Sequence, residues 1–418
     1  MNSSLKKLCA QRLQQCLFAY FVKPICLVAF LSNSASAAVW LFDPTVSLSQ
    51  EYDDNYRLAT NSSNEDEVGT TTLSGELALK GKSERFDLRA LLGLDAIQYS
   101  GDDDDIDDRN NQSLRVTSAY SATERNKFTF KGNIFRDTLI RATQSIFDPL
   151  PDDGIGFDPN QDVDVNVVRD SVRRERFRIA PGWNYRLNES TSLGLNYTYR
   201  DVSYSGDDFD SGLVDSDVQI IGASINKRVS EKDTVTGNIS ESYYRPDNDR
   251  DVDTLAVTLG WVHKYSESFK MDFKIGGRDS DFENTEESSD SGFVGNIGIT
   301  KLTDLTRYRV SIQRRESPSS SGNQVEVDEI KVNIRREISE KLSFGFDGRF
   351  FDTETTNNIN SNNNREYIEL EPRLNWRFLP SWRASAGYRY SEEDLDDGGS
   401  GDSNAAFIKI SWSPPQQF

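Results

Sequence analysis

Residues 255–275 read LAVTLGWVHKYSESFKMDFKI, and the alternation in this stretch decides the fold. Before Ser266, every second residue is apolar or aromatic, as Trp261 is, and the same spacing resumes after it. The residues between them are small or polar, with Lys264 and Lys270 among them. A period of two is that of a β-strand whose two faces meet different surroundings. The stretch therefore predicts two antiparallel strands joined by a very short turn.

The same alternation recurs along the chain in a fixed rhythm of strand, short turn, strand and long polar loop. We expect eighteen strands, over 45–53, 70–80, 85–99, 112–122, 126–140, 171–187, 191–204, 216–229, 233–244, 253–265, 268–280, 291–302, 306–316, 325–338, 341–354, 365–379, 382–392 and 404–413. Short turns follow the even strands and long connections follow the odd ones. All short turns thus lie at one end of the sheet. A β-sandwich with Greek-key connections would not require this arrangement.

One apolar and one polar face on every strand indicate a sheet that separates oil from water. A sheet in hydrocarbon has to close on itself, because an open edge leaves unpaired amides. We therefore predict an all-β fold, a transmembrane antiparallel up-and-down β-barrel of about eighteen strands. Pro181 and Pro372 fall inside strands and lack a donor, so we expect local bulges there.

Aromatic residues segregate along the predicted strands. Tryptophans fall at the short-turn end, and tyrosines dominate the opposite ends. Membrane interfaces select such girdles, since these rings bury an apolar body and keep a polar edge wet. Ordinary cross-strand aromatic pairs would explain the content but not the segregation. The predicted girdle consists of Trp183, Trp261, Trp376, Trp382 and Trp412.

The first 37 residues have the pattern of an export signal. They contain four basic residues and no acid, then the apolar run 25–31 and the small residues Ala35, Ser36 and Ala37. The run is short for a membrane-spanning helix, and Pro24 adjoins it, although a membrane anchor is the alternative. We predict a signal peptide over 1–37 and a barrel over 38–418.

Composition excludes several function classes. The 418 residues contain 48 Lys and Arg, 68 Asp and Glu, one His and three Cys, with a net charge of −20. Such charge repels a phosphate backbone, so nucleic acid is not expected as a partner. His263 has the parity of the apolar face, and all cysteines precede residue 38. We expect no catalytic residues, no cofactor and no metal ligands, and therefore no enzyme.

Charge is unevenly distributed between loops and strands. The loop segments 100–111, 141–170, 205–217, 279–291 and 392–403 together carry −27, whereas the chain after residue 37 carries −24. By alternation the bases fall mainly on the polar face, against roughly five acids. They are Arg115, Arg176, Arg178, Arg186, Arg200, Lys270, Lys274, Arg307, Arg309, Lys331, Arg335, Arg349, Arg373, Arg377, Arg383 and Arg389. We expect an electropositive pore lining and an electronegative mouth.

Both charge patterns have a second interpretation. Basic rings in a pore concentrate anions, but the same arginines could pair with carboxylates and merely hold the wall together. The acidic loops could bind Ca²⁺ or bridge to lipopolysaccharide, or form a solvated, repulsive fringe. Segment 141–170 contains three prolines and several apolar residues within 147–159. It is expected either to enter the lumen as a plug or to form a surface flap.

The start of the barrel segment resembles a known family. Residues 44–57, which contain Asp53, Asp54 and Asn55, are similar to the opening strand of the putative β-barrel porin 2 family. The resemblance implies an outer-membrane barrel, and an association with exopolysaccharide export or exosortase systems. It supplies no catalytic or binding residues beyond the Asp53-Asp54-Asn55 signature, whose role it leaves open.

The sequence thus predicts a passive outer-membrane pore of a Gram-negative cell, with an acidic exopolysaccharide as the exported cargo. A general or anion-preferring uptake porin is the first alternative. A structural or surface-interaction barrel with acidic loops is the second. Expected partners are outer-membrane lipid, lipopolysaccharide and a periplasmic polysaccharide-export machinery. Charge reversal at Arg373, Arg377 and Arg389 is expected to shift ion selectivity towards cations.

Overall fold

The fold is taken from a computed structural model of the chain. The structure describes residues 38–60, 66–101, 108–139, 172–205, 212–283, 289–356, 364–396 and 398–415. The predicted signal peptide and segment 141–170 lie outside these residues. No helix in the described part of the chain is both long and apolar enough to cross a bilayer.

The described residues form eighteen strands, as the alternation predicted. Their bounds are β1 Val39–Asp53, β2 Val68–Lys82, β3 Phe86–Gly101, β4 Arg109–Ser121, β5 Asn126–Leu139, β6 Val172–Arg186, β7 Thr191–Ser205, β8 Ser216–Arg228, β9 Asp233–Pro246, β10 Val252–Ser266, β11 Phe269–Phe282, β12 Ser289–Leu302, β13 Thr306–Pro318, β14 Gln324–Glu337, β15 Leu342–Thr355, β16 Arg365–Leu379, β17 Trp382–Leu395 and β18 Gly399–Trp412. Most ends lie within three residues of the predicted ones. The largest differences are at β1 and β18, which begin six and five residues earlier than predicted.

The strands form one closed antiparallel sheet. Each strand pairs with its sequence neighbours, and β1 pairs with both β2 and β18. The seam between β1 and β18 extends from Val46 opposite Trp412 to Asp53 opposite Ala405. Closure leaves no edge strand, which confirms the predicted barrel. The two rims are called below the short-turn end and the long-loop end.

The outer face carries the apolar residues of the alternation. Leu255, Val257 and Leu259 are 48%, 52% and 62% exposed, although each is flanked by less exposed residues. The strands are 13 to 16 residues long. At about 3.4 Å per residue and a tilt of about 40°, a strand of this length rises roughly 36 Å. This height exceeds an apolar band of about 25 Å, so both rims project beyond it.

The predicted bulges at Pro181 and Pro372 are wrong. The pairing of β6 with β7, and that of β16 with β17, is interrupted beside each proline but keeps its register on either side. Each proline therefore costs ladder bonds on one side only. Register shifts occur instead at Lys264/Ser266 and Trp376/Leu379. Both lie next to short turns, where a strand can gain a residue with little effect on its neighbours.

Candidate functional site: the inner wall of the barrel

The strand register places the predicted basic residues on one face. All sixteen occupy positions of opposite parity to the apolar residues that face outwards on the same strand, and therefore point inwards. For example, Arg383 follows Trp382, and Arg377 follows Trp376. Those towards the short-turn end are Arg186, Lys270, Lys274, Arg307, Arg309, Arg335, Arg377 and Arg383. The remaining eight lie nearer mid-height or the long-loop end.

Buried ion pairs cover the inner wall at mid-height on β14 and β15. Glu329 is 1% exposed and accepts hydrogen bonds from Gln313 and from the Arg349 Nε, the latter at 2.7 Å. The Lys331 Nζ lies 2.9 Å from the same carboxylate. A buried carboxylate is stable as an anion only with partners of this kind. Lys331 and Arg349 therefore share one buried carboxylate of the wall as their counter-ion.

The neighbouring strands β16 and β17 repeat this arrangement. The Arg373 guanidinium lies 2.5 Å from Asp347 and 2.8 Å from Glu371, and all three side chains are nearly buried. Arg389 forms an ion pair with Glu51 of β1 and lies 3.9 Å from Asp53. Pairing with carboxylates, which the sequence left open, is thus what the structure shows for these arginines.

Four carboxylates on the inner wall were not among the roughly five inner acids expected from the sequence. Glu51, Asp53, Asp137 and Glu393 also face inwards, and each lies within 4 Å of an arginine nitrogen. Glu51, Asp53 and Asp137 lie within predicted strands, and their inward parity carried the signal; only Glu393 was assigned to a loop. From mid-height to the long-loop end, the inner wall is therefore less positively charged than the sequence predicted.

A second basic region lies on β4 to β7. Arg115, Asn133, Arg178 and Arg200 lie opposite one another on these four successive strands. In the next row, the Phe135 ring lies between two guanidinium groups, 5.1 Å from that of Arg115 and 5.0 Å from that of Arg176. Asp137 binds Arg174 at 2.8 Å and Arg176 at 3.1 Å. This wall therefore combines arginines with an aromatic face and one shared carboxylate.

The short-turn end has a different character. Lys264 lies opposite Lys270, and Arg307 lies opposite Arg335, so that like charges adjoin on neighbouring strands. Lys264, Lys270 and Lys274 are solvent-exposed although they point inwards. At this level neither the wall nor a described loop covers these inward side chains.

The hairpin of β13 and β14 leaves the wall near the long-loop end. β13 pairs with β12 only up to Arg314, but with β14 as far as Pro318. Beyond Arg314, the carboxylate of Glu316 accepts hydrogen bonds from Ser280 at 3.0 Å and Thr254 at 3.2 Å, on the inner faces of β11 and β10. The end of the hairpin is thus folded inwards against these strands.

The turn of this hairpin reaches further across the mouth. The Ser319 carbonyl accepts a hydrogen bond from Tyr244 Oη at 3.2 Å, and the Ser320 carbonyl accepts one from the Val214 amide at 2.7 Å. Arg250 donates to Asn323 Oδ1 at 2.8 Å. These partners belong to β9 and to the connections after β7 and β9. The inward hairpin, residues 315–327, therefore narrows the lumen at the long-loop end.

The Asp53-Asp54-Asn55 signature fastens the first long loop to the barrel seam. Asp53 accepts a hydrogen bond from Ser403 at 2.6 Å, and Asp54 accepts two from Asn404, at 2.7 and 3.0 Å. Asn55 donates to the carbonyl of Asp402 at 2.8 Å. These bonds join the end of β1 to β18. The structure thus gives the signature a structural place that the sequence left open.

Beyond the signature, the first loop turns into the lumen. Asn55 also accepts a hydrogen bond from the Ala59 amide at 2.8 Å, which holds a tight turn. Within this turn, Leu58 has a φ of 54° and is 1% exposed. It packs with Val325 and Val327 of the inward hairpin and with Phe351 and Tyr367 of β15 and β16. A left-handed leucine is strained, so burial of its side chain holds it there.

The predicted girdle residues share one face and one rim. Trp183, Trp261, Trp376, Trp382 and Trp412 point outwards near the short-turn end, and Trp382 lies directly opposite Trp412. The Trp261 indole donates to Asp233 at 2.9 Å. His263 lies beside it, 2.7 Å from the same carboxylate, and also points outwards. This places the one histidine away from the lumen.

The long-loop rim contains acidic residues that crowd one another. Asp215, between β7 and β8, accepts a hydrogen bond from the Tyr204 amide at 2.8 Å. Partial burial raises the pKa of Asp215, the Tyr204 bond opposes this shift, and the charge of Asp247 adds to it. Among the described residues, no group of three His, Cys, Asp or Glu side chains is placed to hold a metal ion.

No protein-family model and no curated protein sequence matches the chain. Similar solved structures include Pseudomonas aeruginosa OpdO, with 10% identity and a TM-score of 0.46 over 89% of this chain and 97% of that one. The outer membrane channel DcaP of Acinetobacter baumannii has 14% identity and a TM-score of 0.43, over 91% and 98% of the two chains. The FrpB iron transporter from Neisseria meningitidis has 9% identity and a TM-score of 0.44, over 89% and 82%. These identities are too low to transfer the role of any residue.

Proposed function

We propose that the chain is an outer-membrane β-barrel that acts as a passive pore for anionic solutes. A closed sheet with an apolar outer face and exposed charges inside is suited to hydrocarbon on one side and water on the other. The observation that carries the choice of anions is the set of exposed inward lysines at the short-turn end, Lys264, Lys270 and Lys274. Such groups raise the local concentration of anions and lower that of cations.

The specific cargo proposed is an acidic exopolysaccharide moving outwards. The resemblance of residues 44–57 to the porin 2 family motivates this choice, together with the long basic lining. Export would require outer-membrane lipid and lipopolysaccharide as surroundings and a periplasmic polysaccharide-export machinery as the source of the polymer. Deletion of the gene is then expected to retain acidic polymer in the periplasm, whereas loss of uptake of a small anion would favour an uptake porin.

Liposome swelling tests the pore itself. Proteoliposomes are placed in isosmotic galacturonate, galactose or glucosamine, which have similar size and different charge. We expect swelling to be fastest with galacturonate and slowest with glucosamine, because the short-turn end of the lumen is basic. Fastest entry of glucosamine would contradict the proposal.

A structural barrel is the second candidate, and the narrowed mouth favours it. The inward hairpin and the loop around Leu58 both occupy the long-loop end. If they close the lumen, none of the three sugars will enter, and the acidic loops become the feature to study. Absence of swelling with a correctly folded barrel would therefore support the structural barrel over the pore.

A further inference from the structure

The inner wall of β10 to β14 carries a compact group of basic residues at the short-turn end. Lys264 lies opposite Lys270, Lys270 opposite Thr300, and Thr300 opposite Arg309. These four residues form one row across adjacent strands. At about 4.8 Å between strands, the row is roughly 14 Å wide. Arg307 and Arg335 form a second row beside it, nearer the rim.

Four of the five bases in this group form no ion pair with the described wall, although Asp272 shares the inner face of β11 with Lys270. Within the described residues, Lys264, Lys270, Arg307 and Arg309 form no ion pair with a carboxylate. On the same inner face, Arg307 lies two residues from Arg309 and directly opposite Arg335. Crowded like charges repel one another, and a bound anion would relieve that repulsion. This differs from Arg349 and Arg373, which have buried carboxylate partners.

Charge also changes along the axis of the barrel. At mid-height, carboxylates of the wall form ion pairs with Lys331 of β14 and with arginines of β15 to β17. At the long-loop end, segments such as 279–291 are acidic. An anion therefore meets attraction at the short-turn end and repulsion at the other. In barrels of this class the short turns face the periplasm.

We propose that Lys264, Lys270, Arg307, Arg309 and Arg335 form a capture patch for an anionic polysaccharide that arrives from the periplasmic side. The inference rests on the proposed pore and adds the end at which its cargo binds. Several cations spread over about 14 Å suit a polymer with repeated carboxylates better than a single small anion, because each carboxylate can contact a different cation. Binding at this end, and not at the acidic mouth, suits a polymer that enters from the periplasm, while net outward movement follows its gradient or the push of the export machinery.

The test is polymer block of single channels in planar bilayers. Oligogalacturonate is added to one side at a time, and neutral dextran of similar size serves as the probe without charge. Orientation is established with Glu283→Cys at the long-loop end, labelled by an impermeant maleimide; Cys9, Cys16 and Cys26 lie in the predicted signal peptide. We expect block from the short-turn side at a concentration about tenfold lower than from the long-loop side.

Two variants and a control locate the effect. The first variant combines Arg307→Gln with Arg309→Gln and is expected to remove most of the difference in block between the two sides. If this variant fails to fold, Lys264→Gln with Lys270→Gln is expected to have the same effect. Arg336→Gln is the matched control, because Arg336 adjoins Arg335 but has the outward parity and is exposed. Its block should equal that of the unmodified chain.

The outcomes separate the two proposals. Equal block from both sides, or a side preference that survives in a folded neutralised variant, would overturn the capture patch and leave the pore standing. Absence of current before any polymer is added would overturn the pore and the patch together. Dextran block with the same side preference would show that shape and not charge is responsible, which also overturns the patch.

Discussion

Replacement of Leu58 by alanine tests whether the first loop is held in the lumen by one side chain. Leu58 is 1% exposed and is not part of any strand, so its loss should release the loop without opening the sheet. A buried leucine shortened to alanine loses about 2 to 5 kcal/mol. The strain of a left-handed leucine, about 1 to 2 kcal/mol, persists in alanine and adds no compensation.

This loss can be converted into a change of population. A difference of about 3 kcal/mol corresponds to a shift of roughly a hundredfold in the equilibrium between docked and released loop. Amide hydrogen exchange reports this equilibrium directly, because the Leu58 and Ala59 amides are bonded to Asn55 only while the turn is intact. We expect peptides covering 54–60 to exchange about a hundredfold faster in Leu58→Ala, with the strands unchanged.

Single-channel recording provides the functional readout of the same variant. A released loop should add brief openings of higher conductance at the long-loop end. Leu259→Ala is the matched control, since Leu259 is 62% exposed on the outer face and contacts nothing in the lumen. Unchanged exchange over 54–60 in a folded Leu58→Ala barrel would refute the reasoning. Loss of protection throughout the strands would refute it as well, because the loop would then be part of the barrel's stability.

Three further predictions concern the wall, the signature and the rim. Arg373→Glu should destabilise the barrel by about 3 to 5 kcal/mol, since it leaves nearby carboxylates buried without a cation. The control Arg383→Glu changes an exposed residue and should leave the unfolding midpoint in detergent nearly unchanged. Equal effects of the two variants would contradict the assigned ion pairs. Asn55→Ala removes three side-chain hydrogen bonds, and at about 1 kcal/mol each it should speed exchange over 54–60 as strongly as Leu58→Ala. Asp215→Asn should raise the unfolding midpoint at pH 7.5, because the folded state raises the pKa of this carboxyl and so disfavours its charged form. The gain should vanish near pH 3, where Asp215 is protonated in both the folded and the unfolded state. A gain that does not depend on pH would argue against charge as its cause.

The fold could be predicted from the sequence because the alternation is local. Stretches such as 255–275 have a period of two, and the connection lengths alternate strictly, so strand number and pairing follow without tertiary information. The inward direction of residues such as Arg383 follows from parity for the same reason. Strand ends were less predictable, because β1 begins in the unbroken apolar run 39–42 and β18 begins in the polar stretch 399–404, and neither stretch alternates.

The contents of the lumen could not be predicted from alternation alone. Parity shows that Arg373 points inwards, but not that Asp347 and Glu371 lie within ion-pair distance of it. The inward fold of residues 315–327 depends on hydrogen bonds from Thr254 and Ser280, which are distant in sequence. The expected plug, segment 141–170, lies outside the described residues. Charge reversal at Arg373 or Arg389 would place a new carboxylate beside carboxylates of the wall. The expected shift in ion selectivity is therefore better tested at Arg307 and Arg309, which have no such partners among the described residues.

The zero-current potential under a salt gradient tests the central account most directly. The purified barrel is placed in a planar bilayer between two concentrations of KCl, and the potential at which current vanishes gives the ratio of chloride to potassium permeability. We predict a zero-current potential whose sign shows that chloride is more permeant than potassium. In the double variant Arg307→Gln with Arg309→Gln, the potential should shift towards the value for a potassium-selective pore. A potential on the potassium side for the unmodified chain, or no current at all, would contradict a pore lined for anions.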